Sequence, residues 1–270
     1  MKEPLLVKFL KRAFPHRFFV AKLSNVPIFK GVINRMLFDG DNMIYLPKDQ
    51  VVQMDQPLDN LGEMVLPSQV VEHFIEKANY HWIMDWCICR KSTKCEDYPI
   101  ELGCLFLGEA TLKIDPRLGH RATKQEALEH VQKCRDAGLV HLIGRNKLDS
   151  VWLNAHPGNK LLTVCNCCPC CCLWKMLPKL SHKISSKVTK MPGLLVSVTE
   201  KCIGCGTCSK GVCFVDAIRL EGGWAIISGE CRGCGRCVAA CPSGAIDLKV
   251  GDMDFVAKSI ARISSSVDVA

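Results

Sequence analysis

The chain has 270 residues, 48% of them hydrophobic and 23% charged, with a formal charge of +8 and 19 cysteines. That balance excludes a disordered chain, and the length allows one large domain or two ordinary ones with a real core. The odd cysteine count and adjacent pairs such as Cys167 and Cys168, which seldom reach disulfide geometry, exclude a disulfide framework and point to thiolates gathered on metal. The compartment expected is a reducing, anaerobic cytoplasm.

In chain order, residues 1–66 read as strands and turns, with an apolar run at 42–46 ahead of Pro47. The start, residues 4–12, is basic and partly amphipathic, which suits a terminal helix packed on its own domain or, as the alternative, a peripheral membrane or partner contact. No stretch approaches the roughly 20 apolar residues needed to cross a bilayer. Ser68 is read as the cap of a helix whose apolar positions are Val71, Phe74, Ile75, Ala78 and Trp82. Thr123 and Glu126 have capping-box spacing before the apolar face Ala127, Leu128, Val131 and Cys134, with Gly138 as the stop. Residues 139–143 and 151–153 suggest a β-hairpin, so that the order helix then hairpin resembles a winged-helix module. Residues 175–193, rich in Lys and Ser and holding Pro178 and Pro192, read as a connection.

From Leu194 the chemistry changes. Cys202-Ile-Gly-Cys205-Gly-Thr-Cys208 is followed by Cys213. A second run, Cys231-Arg-Gly-Cys234-Gly-Arg-Cys237, is followed by Cys241-Pro242. Each triplet can wrap a tight loop around one iron–sulfur cube, and the glycines at 204, 206, 233 and 235 let the backbone approach. Zinc ribbons also use C-x-x-C pairs but have no use for a third cysteine at the same step in both runs. These features resemble the two-cluster bacterial-type ferredoxins over about 57 residues, an internal duplication. The resemblance implies two 4Fe-4S clusters, with the fourth cysteine of each run serving the other cluster. One cluster then takes Cys202, Cys205, Cys208 and Cys241, the other Cys231, Cys234, Cys237 and Cys213. The first run departs from the pattern: four residues separate Cys208 from Cys213, and Phe214 stands where proline is usual.

Eleven cysteines lie outside this region. Cys134 falls on the apolar face of its helix and reads as a small hydrophobe. Cys87, Cys89, Cys95 and Cys104 form one group, and Cys165, Cys167, Cys168, Cys170, Cys171 and Cys172 another. Six thiols in eight residues imply bound soft metal, and the neighbouring ferredoxin-like runs favour one or two further iron–sulfur clusters over zinc or copper. Spacing does not say whether each segment fills its own centre, both segments share each one, or all serve one larger cluster. His81, His141 and His156 lie nearby and read as structural. The pairing of C-x-C-R with a downstream N-C-C-x-C-C-C resembles ferredoxin-domain proteins of anaerobes, and implies no particular activity.

The chain is therefore expected to be α+β: a cysteine-rich mixed α/β domain with its own metal centres over 1–192, then a dicluster ferredoxin-like domain with a C-terminal helix over 193–270. No dinucleotide fingerprint or Walker loop appears. The leading expectation is a carrier or subunit, rather than an enzyme, relaying single electrons at low potential to a redox partner or larger oxidoreductase complex. A reductase or activating component with a reactive centre at 87–104 and 165–172 is the alternative, and a redox-sensing regulator a weaker one. Cluster charge offsets the +8, so no nucleic-acid partner is expected.

Overall fold

Alternation of side chains along short strands sorts this chain onto two sides of one sheet. The computed structural model describes residues 4–49, 66–252 and 254–270, and the backbone of 53–54. The chain enters through three helices, α1 (Leu5–Ala13), α2 (Arg17–Leu23) and α3 (Pro27–Ile33). This corrects the strand-and-turn reading of residues 1–66, where β1 (Asn42–Tyr45) and the two-residue β2 (Gln53–Met54) are the only strands among the described residues. Then follow α4 (Ser68–Lys77), β3 (His81–Met84), α5 (Ile88–Thr93), β4 (Leu105–Leu107), β5 (Gly119–Ala122), α6 (Lys124–Asp136), β6 (Val140–Arg145), α7 (Lys147–Trp152), β7 (Leu162–Cys167), α8 (His182–Ser185) and β8 (Val188–Lys190).

The main sheet has the order β5-β3-β4-β7-β6-β1-β8. Its neighbours are antiparallel except β1 and β8. Ile143 pairs with both Ile44 and Val164, and Leu142 pairs with Cys165. With a period of two, Ile44, Ile83, Leu105, Ile143, Leu162 and Val164 face one core shared with α4 and α6. Met43, Tyr45, Leu142 and Cys167 face the opposite side, in a core with Ala21 of α2.

Helix α6 follows from its local sequence. The Thr123 side chain accepts from the Glu126 amide while Glu126 bonds back to Thr123, a complete capping box. Ala127, Val131 and Cys134 are buried on its inner face, and Gly138 follows with φ +75°. Helix α4 begins at Ser68, but Pro67 holds the cap position, and Trp82 lies on β3 rather than on the helix. The expected hairpin is not formed. Residues 147–152 are helix α7, capped by the Asn146 side chain accepting from the Leu148 amide, and β6 pairs with β7 instead. The winged-helix order therefore falls. Residues 175–193 are also packed rather than linking: Met176, Leu177, Leu180, Ile184, Val188 and Met191 are buried, and β8 forms a sheet edge.

The final stretch forms β9 (Leu194–Val198), a hairpin of β10 (Ile218–Glu221) and β11 (Trp224–Ile227), α9 (Arg236–Ala240), β12 (Ile246–Val250) and α10 (Phe255–Ser264). Strands β9 and β12 pair antiparallel, and β2 adds to β12 in parallel. Helix α10 leaves this region and packs on α4, β1 and β6. The Asn42 amide donates to the Arg262 carbonyl at 2.8 Å, and Arg262 Nε donates back to Asn42 at 2.8 Å. Phe255, Ile263, Val267 and Val269 share the core of Ile44 and Val70. The fold is α+β.

Candidate metal centres

The duplicated cysteine runs make two equivalent loops. Gly204 and Gly206 in the first, and Gly233 and Gly235 in the second, all take left-handed backbone with φ between +64° and +75°. The Ala217 amide donates to Cys213 Sγ at 3.3 Å, and at the equivalent place the Ala245 amide donates to Cys241 Sγ at 3.3 Å. One cavity is lined by Cys202, Cys205, Cys208 and Cys241. Another is lined by Cys213, Cys231, Cys234 and Cys237. Amides aimed at sulfur and thiols converging on a small enclosed space are what an iron–sulfur cube requires. The extra residue in the first run has a local consequence: a 3-10 turn at Thr207–Ser209 stands where the second run forms α9.

The other cysteines divide by strand and helix geometry. Cys87 caps α5 and Cys89 lies in its first turn, whereas Cys95 follows the helix, after Lys94 has turned left-handed at φ 52°. A six-residue helix separates its ends by about 9 Å, so Cys95 is carried away from the other two. On β7, Cys165 and Cys167 project to one face while Asn166 projects to the other. Asn166 Nδ2 donates to the Gly103 carbonyl at 2.7 Å, and its Oδ1 lies 2.8 Å from His141 Nδ1. Beyond the strand the chain turns at Pro169 and returns at Cys172.

Two groups result, and both segments contribute to each. Cys95, Cys168, Cys170 and Cys171 lie with their sulfurs all within 4.8 Å of one another. Cys87, Cys89, Cys104, Cys165, Cys167 and Cys172 line a second, larger space, an apolar cavity of about 400 Å³ roofed by Leu10, Ala13, Phe14 and Arg17 of the N-terminal helices. Cys168 also borders this cavity. Cys134 is fully buried beside the four-thiol group, 3.7 Å from His130 Nε2, and burial pushes its thiol up to about 12. His81 Nε2 lies 2.8 Å from the Ile75 carbonyl, and burial pushes His141 down to about 4.

Electrostatics divide the six-thiol group into two sets. The neighbouring Cys89 thiol, with help from Arg90, brings Cys87 down to about 7 against its burial. Cys165 and Cys172 hold Cys167 well below the ordinary thiol range. Their partners move the other way: Cys89, Cys104, Cys165 and Cys172 are all raised, so each depressed thiol is stabilised by a neighbouring thiol that keeps its proton.

Two arginines link the thiol groups: Arg90, the arginine of the C-x-C-R segment, and Arg236, which no motif reading had singled out. Arg90 is 0% exposed, donates to the Asn166 carbonyl at 2.8 Å and to the Leu102 carbonyl, and has Cys87, Cys104 and Cys168 as its electrostatic neighbours. It therefore stands between the four-thiol and six-thiol groups. Arg236, 7% exposed, donates to the Cys167 carbonyl and acts electrostatically on both Cys167 and Cys234. It links the six-thiol cavity to the cluster loop at 231–237. Neither has a carboxylate partner among the described residues, and each leaves its Nε without a hydrogen bond. A buried guanidinium without a counter-ion is costly, whereas one between anionic metal–thiolate centres is compensated. Phe214 completes the contact, with its ring centroid 4.7 Å from that of Tyr45, whose hydroxyl neighbours Cys167 and Cys172.

Among the described residues no helix is long and apolar enough to cross a membrane. Neither the curated proteins nor the solved structures contain a match to this chain. The family model of the 4Fe-4S dicluster domain matches residues 201–245, so that the C-terminal part of this chain is an iron–sulfur region and its cysteine-rich N-terminal part is assigned to no family.

Proposed function

We propose that the chain relays single electrons through a row of metal–thiolate centres, ending at a redox partner protein or a larger oxidoreductase. When bound, each 4Fe-4S cluster takes up and gives back one electron. The residues proposed to hold the first are Cys202, Cys205, Cys208 and Cys241, and the second Cys213, Cys231, Cys234 and Cys237. The six-thiol cavity is proposed to hold a further iron–sulfur cluster. The observation carrying this reading is Arg236, buried with no carboxylate partner among the described residues, with Cys234 on one side and Cys167 on the other. A positive charge shared by two thiolate sites lowers the energy of added electrons on both.

The test is anaerobic purification with iron, acid-labile sulfide and zinc measured per chain, and EPR of the reduced protein. Iron clearly above the eight of two cubes, about twelve or more with matching sulfide and interacting spins, is expected. About eight irons would remove the cluster from the six-thiol cavity, and fewer in a reconstituted sample would remove the relay altogether.

A reactive centre is the second reading. Six thiols exceed the four a cube uses, and the cavity lining is otherwise apolar. Carbon monoxide or cyanide altering the EPR of one cluster would favour it, while an unchanged spectrum would leave a plain carrier.

The N-terminal helices are proposed as a peripheral membrane contact. Residues 4–38 hold seven Lys and Arg and no Asp or Glu. Leu5, Leu6, Phe9, Phe19, Ile28, Val32 and Met36 are exposed there, and α3 buries none of its side chains. Apolar side chains interleaved with basic ones suit the surface of an anionic bilayer.

A further inference from the structure

The ten thiols of the cysteine-rich region do not all stand at the same spacing, and the difference bears on what each group holds. A cube places each thiolate on its own iron, at a separate corner of the cluster. One tetrahedral ion draws four thiolates onto a single centre, at metal–sulfur distances of about 2.3 Å and hence sulfur–sulfur separations of about 3.8 Å. The dicluster loops provide an internal ruler. No three of their eight cysteines come within 4.8 Å of one another, which suits ligands to cubes. The six thiols of the cavity form no such compact group, although they approach in pairs, Cys87 with Cys89, Cys104 with Cys165 and Cys167 with Cys172. Only Cys95, Cys168, Cys170 and Cys171, among the described residues, are drawn together to within 4.8 Å, with Cys95 and Cys170 at 3.5 Å.

We infer that Cys95, Cys168, Cys170 and Cys171 hold a single tetrahedral ion, zinc or iron, rather than a cube. This rests on the metal-binding reading of the cysteine-rich region and divides it into a mononuclear site and a cluster site. The surroundings agree. The Cys171 amide donates to Cys168 Sγ at 3.3 Å, closing a tight loop across Pro169 and Cys170. Such a site would join the end of α5 to the end of β7, the two elements that also place Cys87, Cys89, Cys165 and Cys167 around the cavity.

The test uses the full chain purified without oxygen, with Cys95→Ser and Cys170→Ser beside it and Cys134→Ala as a control for disturbed packing. Loss of about one zinc or one non-sulfide iron per chain, with acid-labile sulfide unchanged, is expected of both serine variants and not of the control. Loss of about four irons with about four sulfides would overturn the proposal. Should the variants not fold, the unmodified protein still decides. Zinc absorption spectra with four sulfurs and no metal neighbour, or the high-spin ferric EPR of a lone tetrathiolate iron, support it; absence of both overturns it. Total sulfide-bearing iron tests the relay separately, so the two readings fail independently.

Discussion

Replacing Arg236 with methionine keeps most of its bulk and removes a positive charge from between two thiolate sites. The guanidinium donates to the Cys167 carbonyl, its carbon lies 5.9 Å from the Phe214 ring centroid, and it neighbours Cys234. A unit charge about 7 Å from a cluster, at an effective dielectric of about 20, interacts by about 2 kcal/mol. At about 2.3 kcal/mol per 100 mV that is about 100 mV. Reduction adds negative charge, so losing the arginine disfavours the reduced form and lowers the potential. Redox titration followed by EPR should show the cluster proposed at Cys213, Cys231, Cys234 and Cys237 falling by about this amount. Arg236→Lys should retain much of the native value. The cluster proposed at Cys202, Cys205, Cys208 and Cys241, whose cavity Arg236 does not line, serves as the reference within the same molecule. A folded Arg236→Met protein whose two potentials both stay within about 20 mV of the parent would refute the proposed electrostatic coupling.

Four further outcomes are expected. Thr123→Ala removes the cap of α6 and should lower stability by about 1 kcal/mol in chemical denaturation. Gly144 has φ +148°, and a Cβ there would lie 2.0 Å from the Asn42 carbonyl oxygen, so Gly144→Ala should break the β1–β6 register at a cost of about 3 kcal/mol or more, read as loss of folded protein. Burial pushes the Asp41 carboxyl up to about 7 from 3.8, although the Lys147 amide donates to it at 2.7 Å. Its native form holds the proton to higher pH than the unfolded chain does, so it contributes stability below about pH 4 that is lost by about pH 7, at most about 4 kcal/mol. Asp41→Asn should flatten that slope, and parallel pH profiles for parent and variant would contradict the assignment. Co-sedimentation with vesicles containing phosphatidylserine should exceed that with phosphatidylcholine alone and weaken with salt, and Ile28→Ser with Val32→Ser should reduce it several-fold.

What could be read from the sequence was what short-range chemistry determines. The capping box at Thr123 and Glu126 needs only three residues of spacing, and the paired cysteine runs with their glycines carry a complete local pattern. The stretch at 151–153 was misread because a short apolar segment fits strand and helix equally. Asn146, a good cap, was the available signal. Residues 175–193 looked like a connection by composition, although Met176, Leu177, Leu180 and Ile184 already carried a helical step of apolar residues. The division of the ten thiols was only partly legible. Cys165 and Cys167 share a face because any strand has a period of two, but the separation of Cys95 from Cys89 depends on α5 ending where it does. Arg90 stood in the C-x-C-R segment, but its role and that of Arg236 show only in their burial with no carboxylate partner among the described residues.

Helix α10 leaves the cluster-bearing loops and returns to the main sheet, so those loops are attached to it through β9 at one end and through α10 at the other. A region held at both ends and packed through Phe214 against Tyr45 is expected to keep its place on the sheet. Electron hopping between the dicluster loops and the six-thiol cavity would then run at a separation fixed by the fold, unlike carriers that ferry charge on a hinged arm. Internal transfer should accordingly be indifferent to solvent viscosity, leaving encounter with the external partner as the step that glycerol slows.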